Sequence, residues 1–306
     1  MRSSAYSPSH ITGVFRICNG IEDPLRIGSI GAGVSLSSGV KTDVNVTHST
    51  RPHSDIKLKS RFTSSGTPFV SERVISKFQE IVKVPFSVEV THNIDVPVGS
   101  GFGVSGAAAL SLAISLNDAL GTGLSDLKVA QLAHIVELEC KTGLGTVIAE
   151  VEGGIELRVK AGAPGIGKIE RIESPRDSMV VAVTTGDMLT RTALEDLTIR
   201  KSINETSKQF LDLVFRERSL DSILRASRDF GRSLGFLTDD MNRLVDVADA
   251  SGYVCGIAFF GKTIFSIVRE NEVLDLSRIF LKASGDGQLI SCNVSSKGAM
   301  LIGPRN

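Results

Sequence analysis

The residues best suited to chemistry lie in Pro97–Ala109, PVGSGFGVSGAAA, where glycines stand at positions 99, 101, 103 and 106 just ahead of an alanine- and leucine-rich run. Glycine lets the chain turn sharply and brings backbone N–H groups close to a ligand, and the first turn of a following helix adds unpaired donors and a partial positive charge. Such a junction is an anion site, suited to phosphate. Ser105, at the expected helix start, carries a hydroxyl that can donate to a phosphate oxygen or ligate a metal ion; read alone, it also serves as an N-cap bonding only its own backbone.

Two other glycine patterns compete. Gly101, Gly103 and Gly106 spell the dinucleotide fingerprint G-x-G-x-x-G. That fold needs a further strand after its helix and an acidic residue about 20 positions on, whereas here a second helix is expected and Asp118 falls inside the first. Gly256–Thr263, GIAFFGKT, fits G-x-x-x-x-G-K-[ST] letter for letter. Its continuation TIFSIV is β-branched and aromatic with period two, so the segment predicts a hairpin turn, and too little chain follows to complete a P-loop domain.

The elements that must hold these residues are legible from pattern. Phe86–Val90 and Ile155–Val159 alternate apolar with polar side chains, as half-buried strands do, and antiparallel pairing is expected in this half. Val104–Leu120, with Leu112, Leu116 and Leu120 in one row, predicts a mostly buried helix ended by Gly121 and Gly123. Ser125 and Asp126 then cap a second helix over Leu127–Glu139. The Pro- and Gly-containing stretch Ala161–Pro175 marks a boundary between an N-terminal domain, 1–175, and a C-terminal domain, 176–306. Beyond it, helix formers dominate Leu189–Ala250, two β-rich runs fill Tyr253–Val268, a helix surrounds Leu274–Lys282, and strands close the chain at Leu289–Val294 and Ala299–Ile302. Strands with helices on one face imply a two-domain α+β protein.

Composition narrows the function. Hydrophobic residues make up 42% of the 306, and 34 Lys and Arg balance 34 Asp and Glu, so the chain lacks the basic excess of a nucleic-acid binder. Cys18, Cys140, Cys255 and Cys292 are scattered without a C-x-x-C pair, which fits a reduced, cytoplasmic setting. No signal-peptide pattern opens the sequence and no apolar run is long enough for a membrane span, so no membrane partner is expected.

With these segments laid out, the chain resembles the GHMP kinase superfamily of galactokinase, homoserine kinase, mevalonate kinase and phosphomevalonate kinase. PVGSGFGVSGAAAL is similar to the family's Pro-x-x-x-Gly-Leu-Gly-Ser-Ser-Ala-Ala loop, with Phe102 in place of Leu and with Val104 and Gly106 beside Ser105. Ser7–Phe15, Gly28–Leu36, Thr142–Val147 and Gly153–Arg158 resemble the archaeal pantoate kinases within it. The resemblance implies a GHMP-kinase-like fold: a strand-rich N-terminal nucleotide and substrate domain and a ferredoxin-like C-terminal α+β domain. It implies transfer of the γ-phosphoryl of ATP to the 4-hydroxyl of pantoate in coenzyme A synthesis, with Mg²⁺, and it admits a homodimer.

Residue by residue, the resemblance puts the triphosphate on Pro97, Gly99, Ser100, Gly101, Phe102, Gly103, Val104, Ser105, Gly106 and Ala107, with Ser105 near the metal. It puts pantoate on Ser29, His134 and Arg158, with His10 facing the same cleft. Thr146 stands where the pantoate kinases carry a catalytic Asp. A threonine cannot take up the acceptor's proton at ordinary pH. Three explanations remain open: Glu150 or Glu137 replaces the acid, transfer proceeds without a dedicated base, or the chain binds nucleotide and pantoate with weakened catalysis. A GHMP-type kinase of another small alcohol is the remaining alternative.

Overall fold

The computed structural model describes residues 1–62, 68–175, 177–188 and 195–303. Its first sheet is organised by two long strands, β1 (Arg2–Cys18) and β2 (Gly28–His48), which pair antiparallel from Arg2 opposite Asn45 to Cys18 opposite Gly28. Next to β2 runs β4 (Phe86–Ile94), whose alternation buries Val88, Val90, His92 and Ile94. The edge strand β3 (Ser54–Ser60) pairs parallel to β4, unlike the antiparallel rule expected for this half. The reason is the connection: α1 (Phe69–Val82) crosses between them, and only a crossover of that length joins parallel neighbours. At the other end of β2, β5 (Ile155–Lys160) pairs with Gly31–Val34, and β6 (Lys168–Ile172) pairs with β5.

Against this sheet lies α2 (Val104–Leu120), buried on nearly every side, as its alanines and leucines require. Gly103 enters it at φ 62° and Gly121 leaves it at φ 59°, both in the left-handed region where glycine is favoured. α3 (Asp126–Cys140) follows, its first turn capped by Ser125 accepting from the Lys128 N–H. A short helix, α4 (Thr146–Glu152), then leads into β5; its length gave no periodic signal to read beforehand.

The second sheet is built from β7 (Ser178–Thr184), three helices α5 (Leu197–Glu217), α6 (Leu220–Ser233) and α7 (Asp239–Ala250), the hairpin β8 (Gly256–Ala258) and β9 (Thr263–Arg269), then α8 (Val273–Ser284) and β10 (Gln288–Asn293). Its spatial order β10-β7-β9-β8, antiparallel throughout, is the split β-α-β-β-α-β arrangement of ferredoxin-like domains. Residues 189–194 of the expected helical stretch lie outside the described residues. A final strand, β11 (Met300–Leu301), returns to pair with β1.

One apolar core joins the two sheets. Phe15 on β1 meets Phe259 of the β8–β9 turn with ring centroids 5.3 Å apart and Phe230 of α6 at 6.3 Å. The fold is α+β, with the glycine loop held between the two sheets.

Candidate active site

The loop between β4 and α2 borders a cavity of about 550 Å³. Of the ten residues expected there, Gly99, Gly101, Phe102, Gly103, Val104 and Ser105 line it. Gly99, Gly101 and Gly103 all take positive φ, so the bends that shape this rim need glycine. Pro97, Ser100, Gly106 and Ala107 are not in the lining. Ser100 is buried, its carbonyl accepting from Thr263 Oγ1 at 2.7 Å, and Gly106 packs against Glu150 and Thr146. The Walker-like segment forms the β8–β9 hairpin and opens directly into strand β9 where a P-loop would open a helix. Its contribution is structural: a Cβ on Gly261 would collide with the Ser100 carbonyl, so this glycine lets the hairpin rest against the loop.

Behind the loop stand two buried carboxyl groups. Glu137 of α3 accepts from Thr142 Oγ1 at 2.5 Å and Thr146 Oγ1 at 3.3 Å, and it is also hydrogen-bonded by Ser105. Burial raises its pKa, opposed by those three hydroxyls. Glu150 of α4 is fully buried with neither oxygen hydrogen-bonded to a described residue. Burial, then the neighbouring Glu137, pushes its pKa well above the usual carboxylate range. A Cβ on Gly106 would stand 2.7 Å from Glu150 Oε2 and 3.0 Å from Thr146 Oγ1, so the helix start packs directly on this pair.

Ser105 and Glu137 together fit Mg²⁺. A hydroxyl on the cavity wall bonded to a buried carboxylate is a hard-oxygen pair, and Mg²⁺ typically takes one or two protein carboxylates and completes its shell with phosphates and water. No cluster of three or more His, Cys, Asp or Glu that could cage a metal occurs among the described residues. Sequence reasoning named Glu137 only as a stand-in base; nothing in a lone helical Glu signals that it turns inward.

The expected acceptor residues are brought together in part. His10 and Ser29 line the cavity, as does Thr146, the first residue of α4. Arg158, only 1% exposed, stands behind the wall, its Nη1 2.6 Å from Glu156 Oε1, and the same oxygen lies 2.8 Å from His10 Nε2. Adjacent pairing of β1 with β2 and β2 with β5 sets this triad, which the spacing of His10, Glu156 and Arg158 along the chain could not reveal. Burial lowers the Arg158 pKa, and Glu156 opposes the shift. Arg158 Nε has no partner among the described residues; it and Ser29 Oγ flank Gly145, 3.5 and 2.5 Å from where a Cβ there would stand. His134 is 1% exposed, outside the cavity lining, and bonds the Pro24 carbonyl at 3.3 Å, so it braces the turn that leads into Ser29.

Residues 70–154 match the model of the GHMP kinases N terminal domain. A solved phosphotransferase related to the CoA biosynthesis pathway superposes with a TM-score of 0.85 at 27% identity, covering 100% of this chain and 99% of that one. The homoserine kinase of Cytophaga hutchinsonii shares the fold at a TM-score of 0.72 and 14% identity, covering 98% and 97% of the two chains. Frame and glycine loop are therefore those of a GHMP-type kinase. The pantoate kinase of Thermococcus kodakarensis is 32% identical over 274 residues, 88% of each chain. The chain belongs to the pantoate kinase family.

Proposed function

We propose that this protein transfers the γ-phosphoryl group of ATP to the 4-hydroxyl of pantoate, forming 4-phosphopantoate and ADP, as a step of archaeal coenzyme A biosynthesis. The observation that carries the reading is a single cavity bordered both by the helix-start glycine loop and by the Ser29, His10 and Thr146 wall, in a chain related to pantoate kinase over most of its length. The loop N–H groups and the α2 N-terminus receive phosphate oxygens. Ser105 and Glu137 would hold Mg²⁺, which supplies charge neutralisation on the phosphates. Arg158, held by Glu156 behind the wall that Ser29 lines, places a buried positive charge on the side of the cavity that would receive the pantoate carboxylate.

The acceptor oxygen forms its bond to the γ-phosphorus as the bond to the bridging oxygen of ADP breaks, and the hydroxyl proton passes to an oxygen of the transferred phosphoryl group. Thr146 takes no proton; its hydroxyl, donating to Glu137, shapes the wall beside the acceptor. A loose transition state demands positioning and charge stabilisation more than a strong base, so a neutral side chain here is compatible with turnover. The same reading places the protein in the cytoplasm, where ATP and Mg²⁺ are supplied, and allows it to work as a homodimer. No helix among the described residues is long and apolar enough to cross a membrane.

The test is ADP release in the presence of ATP and Mg²⁺ with pantoate, homoserine or mevalonate as acceptor. Release with pantoate is expected. Turnover confined to another acceptor would overturn the assignment.

A further inference from the structure

One wall of the cavity has a different character from the anion-binding sides. Leu58 of β3, Ile94 of β4, Pro68, Phe69 and Val70 at the start of α1, and Val98 make it apolar, and Ser71 is the hydroxyl set among them. An apolar slot with one polar group suits a nucleobase, whose faces are apolar and whose edge carries donors and acceptors. This inference rests on the kinase reading and deepens it.

What Ser71 offers to a base is settled by counting protons. Its Oγ lies 2.9 Å from His92 Nε2; His92 Nδ1 lies 2.7 Å from Thr42 Oγ1; Thr42 Oγ1 lies 2.6 Å from Ser111 Oγ; and Ser111 Oγ lies 2.7 Å from the Ala107 carbonyl. Each contact needs one proton, and the three hydroxyls with one imidazole N–H supply one apiece. The carbonyl only accepts, so Ser111 donates to it, Thr42 donates to Ser111, and His92 donates through Nδ1 to Thr42. Ser71 must then give its proton to Nε2. The opposite direction would leave Ser111 and Ala107 with two facing lone pairs. His92 is neutral, as the chain requires: burial lowers its pKa to about 4.

We propose that Ser71 is the base-reading residue of the phosphoryl donor site, held with its lone pairs toward the slot so that it accepts a hydrogen bond from the exocyclic 6-amino group of adenine. Ser71, through His92, Thr42 and Ser111, is thereby tied to the first turns of α2, whose beginning carries the phosphate loop. The chain of hydroxyls fixes the polarity of the site before any ligand arrives.

The experiment compares ATP with purine riboside 5′-triphosphate, which lacks the 6-amino group, by calorimetric affinity without acceptor and by kcat/KM with pantoate. The wild-type protein is expected to prefer ATP by about tenfold, the value of one neutral hydrogen bond at the upper end of its range. In Ser71→Ala the two nucleotides should converge. Equal use of both by the wild type overturns the proposal without needing any variant, and so does a Ser71→Ala protein that keeps the full preference. Because affinity is measured without acceptor, ATP preferred in binding but no ADP from pantoate would sink the kinase reading alone, while absence of ATP binding would sink both.

Discussion

Glu150 is the residue whose chemistry is least expected from its position. Two exposed-looking features of its sequence context, a short helix and a following Glu152, disguise a carboxyl group that the fold encloses completely beneath Gly103 and Gly106. Its raised pKa has a defined consequence for stability. Below the unfolded-state value of about 4.5 both states carry the proton; as pH rises past it, the unfolded chain releases the proton while the folded chain retains it, and stability falls. Glu150→Gln removes that dependence. The variant is expected to melt about 2–5 °C higher than wild type near pH 7 and to show no gain near pH 4, as read by thermal melts across that range. A gain of the same size at both ends would show that the carboxyl is not the cause.

Among the elements, the β8–β9 hairpin and the phosphate loop show how far pattern alone can lead. Period-two residues after Lys262 identified a hairpin despite a perfect Walker match, and the Leu row, with Gly121 beyond it, located α2 to the residue; both signals are local and so survive in sequence. The contact between the two elements is not local, and no spacing predicts that Gly261 packs on Ser100. The same limit hid the His10–Glu156–Arg158 triad, which only strand pairing assembles, whereas α1 carried a local signal in its Val70, Val74 and Phe78 row that went unread. These facts separate two neighbouring substitutions. Gly261→Ala places a methyl group against backbone that has no freedom to retreat, and it should shift the loop and raise the KM for ATP several-fold or more. Lys262→Ala, in a hairpin turn that opens a strand and so offers no helix N-terminus to a phosphate, should leave that KM nearly unchanged. Titration of ATP in steady-state assays of both variants decides it; the reverse order would mean that the hairpin, not the β4–α2 loop, binds the triphosphate.

For the whole molecule, the question is whether two sheets make two folding units. A boundary near residue 175 is natural in sequence, and the strands on its two sides do form separate sheets, apart from β11. Yet β1 belongs to both interiors: it pairs with β2 across its length, and its Phe15, 4% exposed, is clasped edge-on by Phe230 and Phe259 from the other half. Backbone crosses as well, since the Phe259 N–H donates to the Thr12 carbonyl at 3.0 Å. Apolar surface shared in this way cannot be released by one half without exposing the other, which couples their unfolding. Calorimetry should therefore give one transition with calorimetric and van't Hoff enthalpies in agreement. Phe15→Ala should lower stability by about 3–5 kcal/mol, the range for a buried phenylalanine, and move that single transition as a whole. Two resolved transitions in the wild type, or a variant in which only one part melts early, would instead make the halves independent domains meeting at an interface.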